Sequence, residues 1–163
     1  MKRALNQEAE THVSTCAESK ILAGPVRVSE VMTCETIALR PNQSLADVVA
    51  LMANRSIHQV LVVDAEERRS GVISDRDVLR ALSRTPNWNK KSVSEIMTSE
   101  PMTANPDMPL SVAVQAMLAM RINCLPVVGA DGRVCGILTS TDLLKTYEQI
   151  QSLIEKKRSS ETT

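Results

Sequence analysis

The chain has 163 residues, of which 43% are hydrophobic and 23% are charged, and its 19 basic side chains balance 19 acidic ones. This length fits one compact domain or two half-sized units, and the lack of net charge and of aromatic rings (one Trp, one Tyr, no Phe) argues against nucleic acid as main partner. With no apolar run near the roughly 18 residues of a membrane helix and no signal-peptide core, we expect a cytoplasmic protein without a membrane partner.

Two copies of one sequence pattern make up most of the chain. Residues 28–82 align without a gap on residues 93–147, with an offset of 65 and identical pairs such as Met32/Met97 and Gly71/Gly136. A unit of about 55 residues is too small to bury a sheet alone, so we expect the copies to pack together. The predicted organisation is a flexible or docking arm (1–27), unit 1 (28–83), a linker (84–92), unit 2 (93–147), and a helix extension with a polar tail (148–163).

Each copy predicts the element order β-α-β-β-α. A first strand is expected at residues 36–39 and 102–104. A helix follows, with Ser44 as N-cap in the first copy and apolar residues at i, i+3, i+4 and i+7 from Leu45 or Leu110. Two apolar runs then predict a hairpin, and a closing helix begins at Ser74 or Thr139. In the second copy the apolar spacing continues through Ile154, which predicts a longer helix.

The second hairpin contains Asp131-Gly132, which is typical of a two-residue turn. Such a turn places Cys135 opposite Val128 rather than Cys124, so we expect no disulfide between these strands. The spacing of the four cysteines also predicts free thiols in a reducing compartment and no thiolate metal site. The other two are Cys16 and Cys34.

A hydroxyl residue precedes each closing helix and a carboxylate follows three positions later. The pairs are Ser74 with Asp77 and Thr139 with Asp142. One interpretation is a capping box, in which the two side chains satisfy backbone N–H groups at the helix start. The other is a ligand site, because a helix N-terminus attracts phosphate and a carboxylate there can accept hydrogen bonds from a ribose diol. The spacing alone leaves both open.

The copies open with V-S-E-[VI]-M-T and close with G-[VI]-[IL]-[ST]-x-x-D. These motifs resemble those of the cystathionine-β-synthase (CBS) domain pair, also called the Bateman module, over residues 28–147. The resemblance implies an α+β fold of two tandem β-α-β-β-α units packed by pseudo-twofold symmetry. It also implies a regulatory module that binds an adenosine-containing effector (AMP, ADP, ATP, S-adenosylmethionine or sometimes NAD(H)) between the units, and that often forms a homodimer.

The resemblance also implies which residues line the clefts. It favours ribose contact by Asp77 and Asp142 beside their capping partners. Arg76, where the second copy has Thr141, opposes the helix dipole, so it is expected either to pair with phosphate or to be solvated. His58 and its counterpart Asn123 are expected near the ligand or simply at the surface.

The adenine would lie among aliphatic and thioether groups, because the chain offers almost no aromatic rings. In relatives, the first strand holds the base, and the alternative for these positions is an ordinary core strand. The expected residues are Thr36, Ile37, Ile57, Met102, Thr103, Ile122 and Ile137.

We therefore expect an adenine-nucleotide sensor that shifts between two arrangements and acts in trans on an unknown regulated protein. The alternative is an interaction or scaffold protein whose clefts are vestigial and hold no ligand. Nothing supports an enzyme, because the sequence has no G-x-S-x-G, no Walker loop and no paired metal ligands. No catalytic residue, metal or required cofactor is expected.

Overall fold

The computed structural model describes residues 25–66, 68–84 and 86–161. The predicted N-terminal arm lies outside these residues up to position 24, together with Cys16. The strands and helices follow in chain order: β1 (Ala38–Leu39), α1 (Leu45–Arg55), β2 (Gln59–Val63), β3 (Arg69–Ser74), α2 (Asp75–Arg84), β4 (Thr98–Ser99), α3 (Leu110–Met120), β5 (Cys124–Val128), β6 (Val134–Thr139) and α4 (Ser140–Glu161).

Helix α1 begins where the sequence predicts it. Ser44 is the N-cap, and its Oγ accepts a hydrogen bond from the Asp47 backbone N–H at 3.2 Å while the Asp47 carboxylate accepts from the Ser44 N–H at 3.0 Å. The apolar stripe of the helix faces inward, and Leu45 and Val48 are fully buried in the first core together with Val60 of β2. Local capping and tertiary burial thus favour the same helix.

The opening segment of each copy packs on the other copy. Val28 lies in the second core and Val93 in the first, and neither is exposed to solvent. Thr33 and Ile137 exchange two backbone hydrogen bonds of 2.9 and 3.0 Å, while β4 of the second copy pairs antiparallel with β3 of the first. Each core is therefore completed by residues of the other copy.

Residues that are related by the 65-residue offset also make equivalent contacts in the structure. Leu39 pairs in parallel with Val62 in the first copy, and Ala104 pairs in the same way with Val127 in the second. One sheet has the order β1-β2-β3-β4, and β5 and β6 form a second, two-stranded sheet. These pairings confirm the α+β fold with two tandem units and show its pseudo-twofold relation.

The first strand of each copy is shorter than predicted. In the first copy only Ala38 and Leu39 join the sheet, and in the second only Ala104 makes a single bridge. In a parallel ladder, the next bond in the second copy would run from the backbone N–H of Pro126 to the Met102 carbonyl. Proline has no such hydrogen, so the first strand of the second copy does not extend back from Ala104 to Met102.

The predicted two-residue turn at Asp131-Gly132 is wrong. The Gly129 N–H donates to the Arg133 carbonyl at 2.9 Å, which closes a three-residue loop, and Gly132 has φ +79°. This is the common combination of a turn with a left-handed residue that starts a bulge. The bulge places Val134 opposite Val128 and Thr139 opposite Cys124. Cys135 therefore does not face Val128, as the shorter turn would require, and Cys124 and Cys135 are free thiols.

Candidate functional site

A cavity of about 280 Å³ lies between the two copies, and we call it cleft 1. Its lining comes from the first copy, at the segment before β1 and around the start of β2, and from the second copy, at the end of β6 and the first turns of α4. Its lining residues are Thr33, Glu35, Thr36, Ile37, Ser56, Ile57, His58, Gln59, Leu61, Ile137, Thr139, Thr141, Asp142 and Lys145. The cavity is close to the smallest volume usual for small-molecule sites, roughly 300 Å³.

Asp142 is held by three donors at the start of α4. Its Oδ2 accepts from the Thr139 N–H at 2.8 Å and from the Thr139 hydroxyl at 2.6 Å, and the Asp142 N–H donates to Thr139 Oγ1 at 3.3 Å. Its Oδ1 accepts from the hydroxyl of Thr33 at 3.0 Å. The side chain is thus in a capping box and is only 7% exposed, yet it borders the cavity. A carboxylate has about four lone-pair sites, so one remains for a ligand donor.

Asp77 has the same arrangement at the start of α2, with a different third donor. Its Oδ2 accepts from the Ser74 N–H at 3.0 Å and from the Ser74 hydroxyl at 2.6 Å. Its Oδ1 accepts from Arg80 Nη1 at 3.1 Å, within the same helix. The capping interpretation therefore describes both aspartates in this structure. A ribose hydroxyl would either donate an additional hydrogen bond to the carboxylate or replace one of the capping hydrogen bonds.

Cleft 1 brings together eight of the residues that the sequence suggested. They come from both copies, as a site at the seam requires. They are Thr36, Ile37, Ile57, His58, Ile137, Thr139, Thr141 and Asp142.

We call a second region cleft 2. It consists of the positions that lie 65 residues from the lining residues of cleft 1, together with their neighbours in the chain, and it contains the other seven suggested residues. They are Ser74, Arg76, Asp77, Met102, Thr103, Ile122 and Asn123. Ser140 N–H donates to the Asn123 carbonyl at 3.0 Å, just as Asp75 N–H donates to the His58 carbonyl at 2.9 Å, which shows the equivalence of the two surroundings. Arg76, Met102 and Asn123 are exposed, and Ile122 packs against the second core.

Cys124 lies beside cleft 2. Burial and the Asp77 carboxylate raise the pKa of its thiol to about 11. The thiol is therefore protonated at neutral pH and is a poor nucleophile. Its counterpart in cleft 1 is Gln59.

Sequence reasoning missed six of the lining residues. Thr33 stands in the M-T motif that opens the first copy, and Lys145 lies three residues after Asp142, so both had a signal in the repeat. Glu35, Ser56, Gln59 and Leu61 had none, because the packing between the copies decides which parts of the loops and of β2 face the cavity.

The lining of cleft 1 offers groups that can bind a polar ligand. Cleft 1 combines hydroxyls, a helix N-terminus, one lysine and aliphatic side chains. Among residues 25–66, 68–84 and 86–161, no cluster of histidine, cysteine and acidic side chains could hold a metal ion. Within the same residues, no helix has the length and apolar character needed to cross a bilayer.

The family model described as "CBS domain" matches residues 28–84 and again residues 93–149. The chain therefore belongs to the CBS-domain family and contains a tandem CBS pair. Among curated proteins, inosine-5′-monophosphate dehydrogenase of Methanocaldococcus jannaschii is 30% identical over 131 residues, which is 80% of this chain and 25% of that enzyme. The chain thus spans about a quarter of the length of this relative.

Two solved CBS pairs share the fold over nearly their whole length. The CBS domain pair of protein MJ0100, in complex with 5′-methylthioadenosine and S-adenosyl-L-methionine, has 28% identity and a TM-score of 0.70, with 77% of this chain and 98% of that one covered. CBSX2, a CBS-pair protein of Arabidopsis thaliana, has 28% identity in its complex with AMP and a TM-score of 0.69, covering 77% and 98%.

Proposed function

We propose that this chain is a non-catalytic regulatory module that binds an adenosine-containing ligand between its CBS units and acts in trans on a partner protein. Cleft 1 carries this proposal, because one cavity combines the acidic start of α4 with aliphatic residues of the other copy. AMP and S-adenosyl-L-methionine in the solved relatives supply the ligand class.

Each group in cleft 1 has a physical role in this proposal. The free lone pair of Asp142 accepts a ribose hydroxyl, and the N-terminal turn of α4, with Thr141 and Lys145, faces the polar end of the ligand. Ile37 and Ile57 contact the base. The ligand shifts the equilibrium between two arrangements of the copies only by its difference in affinity for them.

Isothermal titration calorimetry tests the proposal with AMP, ADP, ATP and S-adenosylmethionine. We expect wild type to bind at least one of them and Asp142→Ala or Asp77→Ala to weaken binding at the altered cleft at least tenfold. Asp47→Ala is the matched control, because it removes the equivalent carboxylate of a capping box at α1, away from the lining of cleft 1. Absence of binding at millimolar ligand contradicts the proposal and leaves the scaffold alternative.

We propose that the chain forms a homodimer through the exposed face of α2 and α4. Leu79 and Leu82 on α2 are 65% and 41% exposed, and Leu144 and Tyr147 on α4, at the equivalent positions, are 68% and 62% exposed. A patch with internal twofold symmetry suits a closed dimer, whose axis brings identical surfaces together. Light scattering after size exclusion should give a dimer mass, and Leu144→Glu should lower it to that of a monomer.

A further inference from the structure

The two clefts carry different side chains on nearly identical backbone. Ser56 lines cleft 1 and is the C-cap that follows α1, with φ 51° and ψ 42°. Its counterpart Arg121 is the C-cap that follows α3, with φ 53° and ψ 42°. Thr141 lines cleft 1 in the first turn of α4, and Arg76 takes its place in the first turn of α2. Two uncharged lining positions of cleft 1 are therefore arginines at cleft 2.

These exchanges change the charge of the site. The lining of cleft 1 contains two carboxylates and one lysine: Glu35, Asp142 and Lys145. The equivalent positions at cleft 2 hold two carboxylates and three arginines: Glu100, Asp77, Arg76, Arg80 and Arg121. Cleft 1 is thus net negative and cleft 2 net positive, with His58 of cleft 1 counted as neutral.

The two additional arginines are available to a ligand. Arg80 is paired with Asp77, but no described carboxylate forms an ion pair with Arg76 or Arg121, and both residues are exposed. The carboxylate next to Arg76 in the chain, Asp75, is hydrogen-bonded to His58 at 3.1 Å. A guanidinium in the first turn opposes the helix dipole unless an anion is bound there, and its planar shape suits phosphate.

We propose that the two clefts take adenosyl ligands of different charge: cleft 2 a nucleoside polyphosphate, and cleft 1 an adenosyl ligand without phosphates. This inference rests on the proposed function and divides it between the sites. In cleft 1 a polyphosphate meets two carboxylates and a single lysine. At cleft 2 it meets two carboxylates and three guanidiniums, of which Arg76 lies in the first turn of α2 and Arg121 follows the end of α3.

Calorimetry on the full chain with ATP and with 5′-methylthioadenosine assigns the ligands. Asp77→Asn alters cleft 2 and Asp142→Asn alters cleft 1, and asparagine keeps a similar shape at the capping position. We expect Asp77→Asn to weaken ATP at least tenfold and 5′-methylthioadenosine less than twofold, and Asp142→Asn to do the reverse.

The repeat itself supplies the charge variants. Arg76→Thr/Arg121→Ser gives cleft 2 the residues of cleft 1, and we expect ATP affinity to fall at least tenfold, since a hydrogen bond to a charged group is worth about 1.5–3 kcal/mol. Ser56→Arg/Thr141→Arg is the reciprocal change and should add an ATP site at cleft 1. Thermal melts of all variants check that they fold.

The outcomes are distinct. Loss of both ligands in the same aspartate variant, or unchanged ATP affinity in Arg76→Thr/Arg121→Ser, overturns the division between clefts while the proposed function stands. If wild type binds neither ligand, the proposed function fails first, and this inference fails with it.

Discussion

The hydrogen bond from Thr33 to Asp142 joins side chains of the two copies, and Thr33→Val removes it. The hydroxyl donates to Asp142 Oδ1 at 3.0 Å, 109 residues away in the chain. Valine has nearly the shape of threonine and fits the extended backbone that pairs Thr33 with Ile137. The substitution therefore changes one hydrogen bond and little else.

The magnitude follows from the surroundings of the two groups. A hydrogen bond to a charged group contributes about 1.5–3 kcal/mol. Thr33 is exposed and borders an open cleft, so water can replace its hydroxyl and reduce the loss to about 1 kcal/mol. For a chain of this length, that loss lowers the Tm by about 2–4 °C.

Urea unfolding followed by circular dichroism measures the loss, and Thr98→Val is the matched control at the equivalent position. Arg80, and not Thr98, donates to Oδ1 of Asp77, so the control lacks the bond in question. We expect Thr33→Val to lose about 1 kcal/mol, Thr98→Val to lose much less, and Thr33→Ser to keep most of the stability. Equal losses in the two valine variants, or no recovery with serine, would refute the reasoning.

Three further predictions concern packing, pH and thiol chemistry. A Cβ on Gly71 would lie 2.8 Å from the backbone carbonyl oxygen of Thr98 and 2.7 Å from Met97 Sδ, and the backbone atom cannot easily move away, so Gly71→Ala should cost about 1–3 kcal/mol in urea unfolding. Hydrogen bonds, chiefly from Lys91, lower the pKa of Glu95 to about 2, so its contribution to stability is present above about pH 4.5 and is lost as the pH falls toward 2; Glu95→Gln should flatten that decline in acid titrations of unfolding. Iodoacetamide at pH 8 should label Cys34, which is exposed, faster than Cys124, as peptide mass spectrometry can measure.

The helices could be predicted because their signals are local. The capping hydroxyl of Ser44 directly precedes an 11-residue helix whose apolar stripe begins at Leu45, and no other part of the chain is needed to interpret these signals. The strand ends could not, because the shortened first strand of the second copy depends on Pro126 in a neighbouring strand. The Asp131-Gly132 pair fits both a two-residue turn and the longer loop observed.

The opening segment of each copy packs in the core of the other copy, and we call this the exchange of opening segments. It had no signal in the sequence for a different reason. Val28 and Val93 are the same residue in the same motif, so the pattern says that both are buried but not which core each enters. The sequence likewise did not show which of the suggested site residues share a cleft. Equivalent residues from the two copies fall into different clefts, and only the packing of the copies decides which residues share one.

The exchange also explains why the site lies where it does. Thr33 belongs to a segment of the first copy that is bonded to β6 of the second, and it meets Asp142 on α4. Ile57 and His58, which also line cleft 1, lie just before β2 in the first copy. A ligand bound in cleft 1, as proposed, would contact both the exchanged segment and the rest of the first copy, so a change in the arrangement of the copies would alter its surroundings. In the proposed function, this geometry would link ligand binding to the arrangement of the copies, as regulation by a population shift requires.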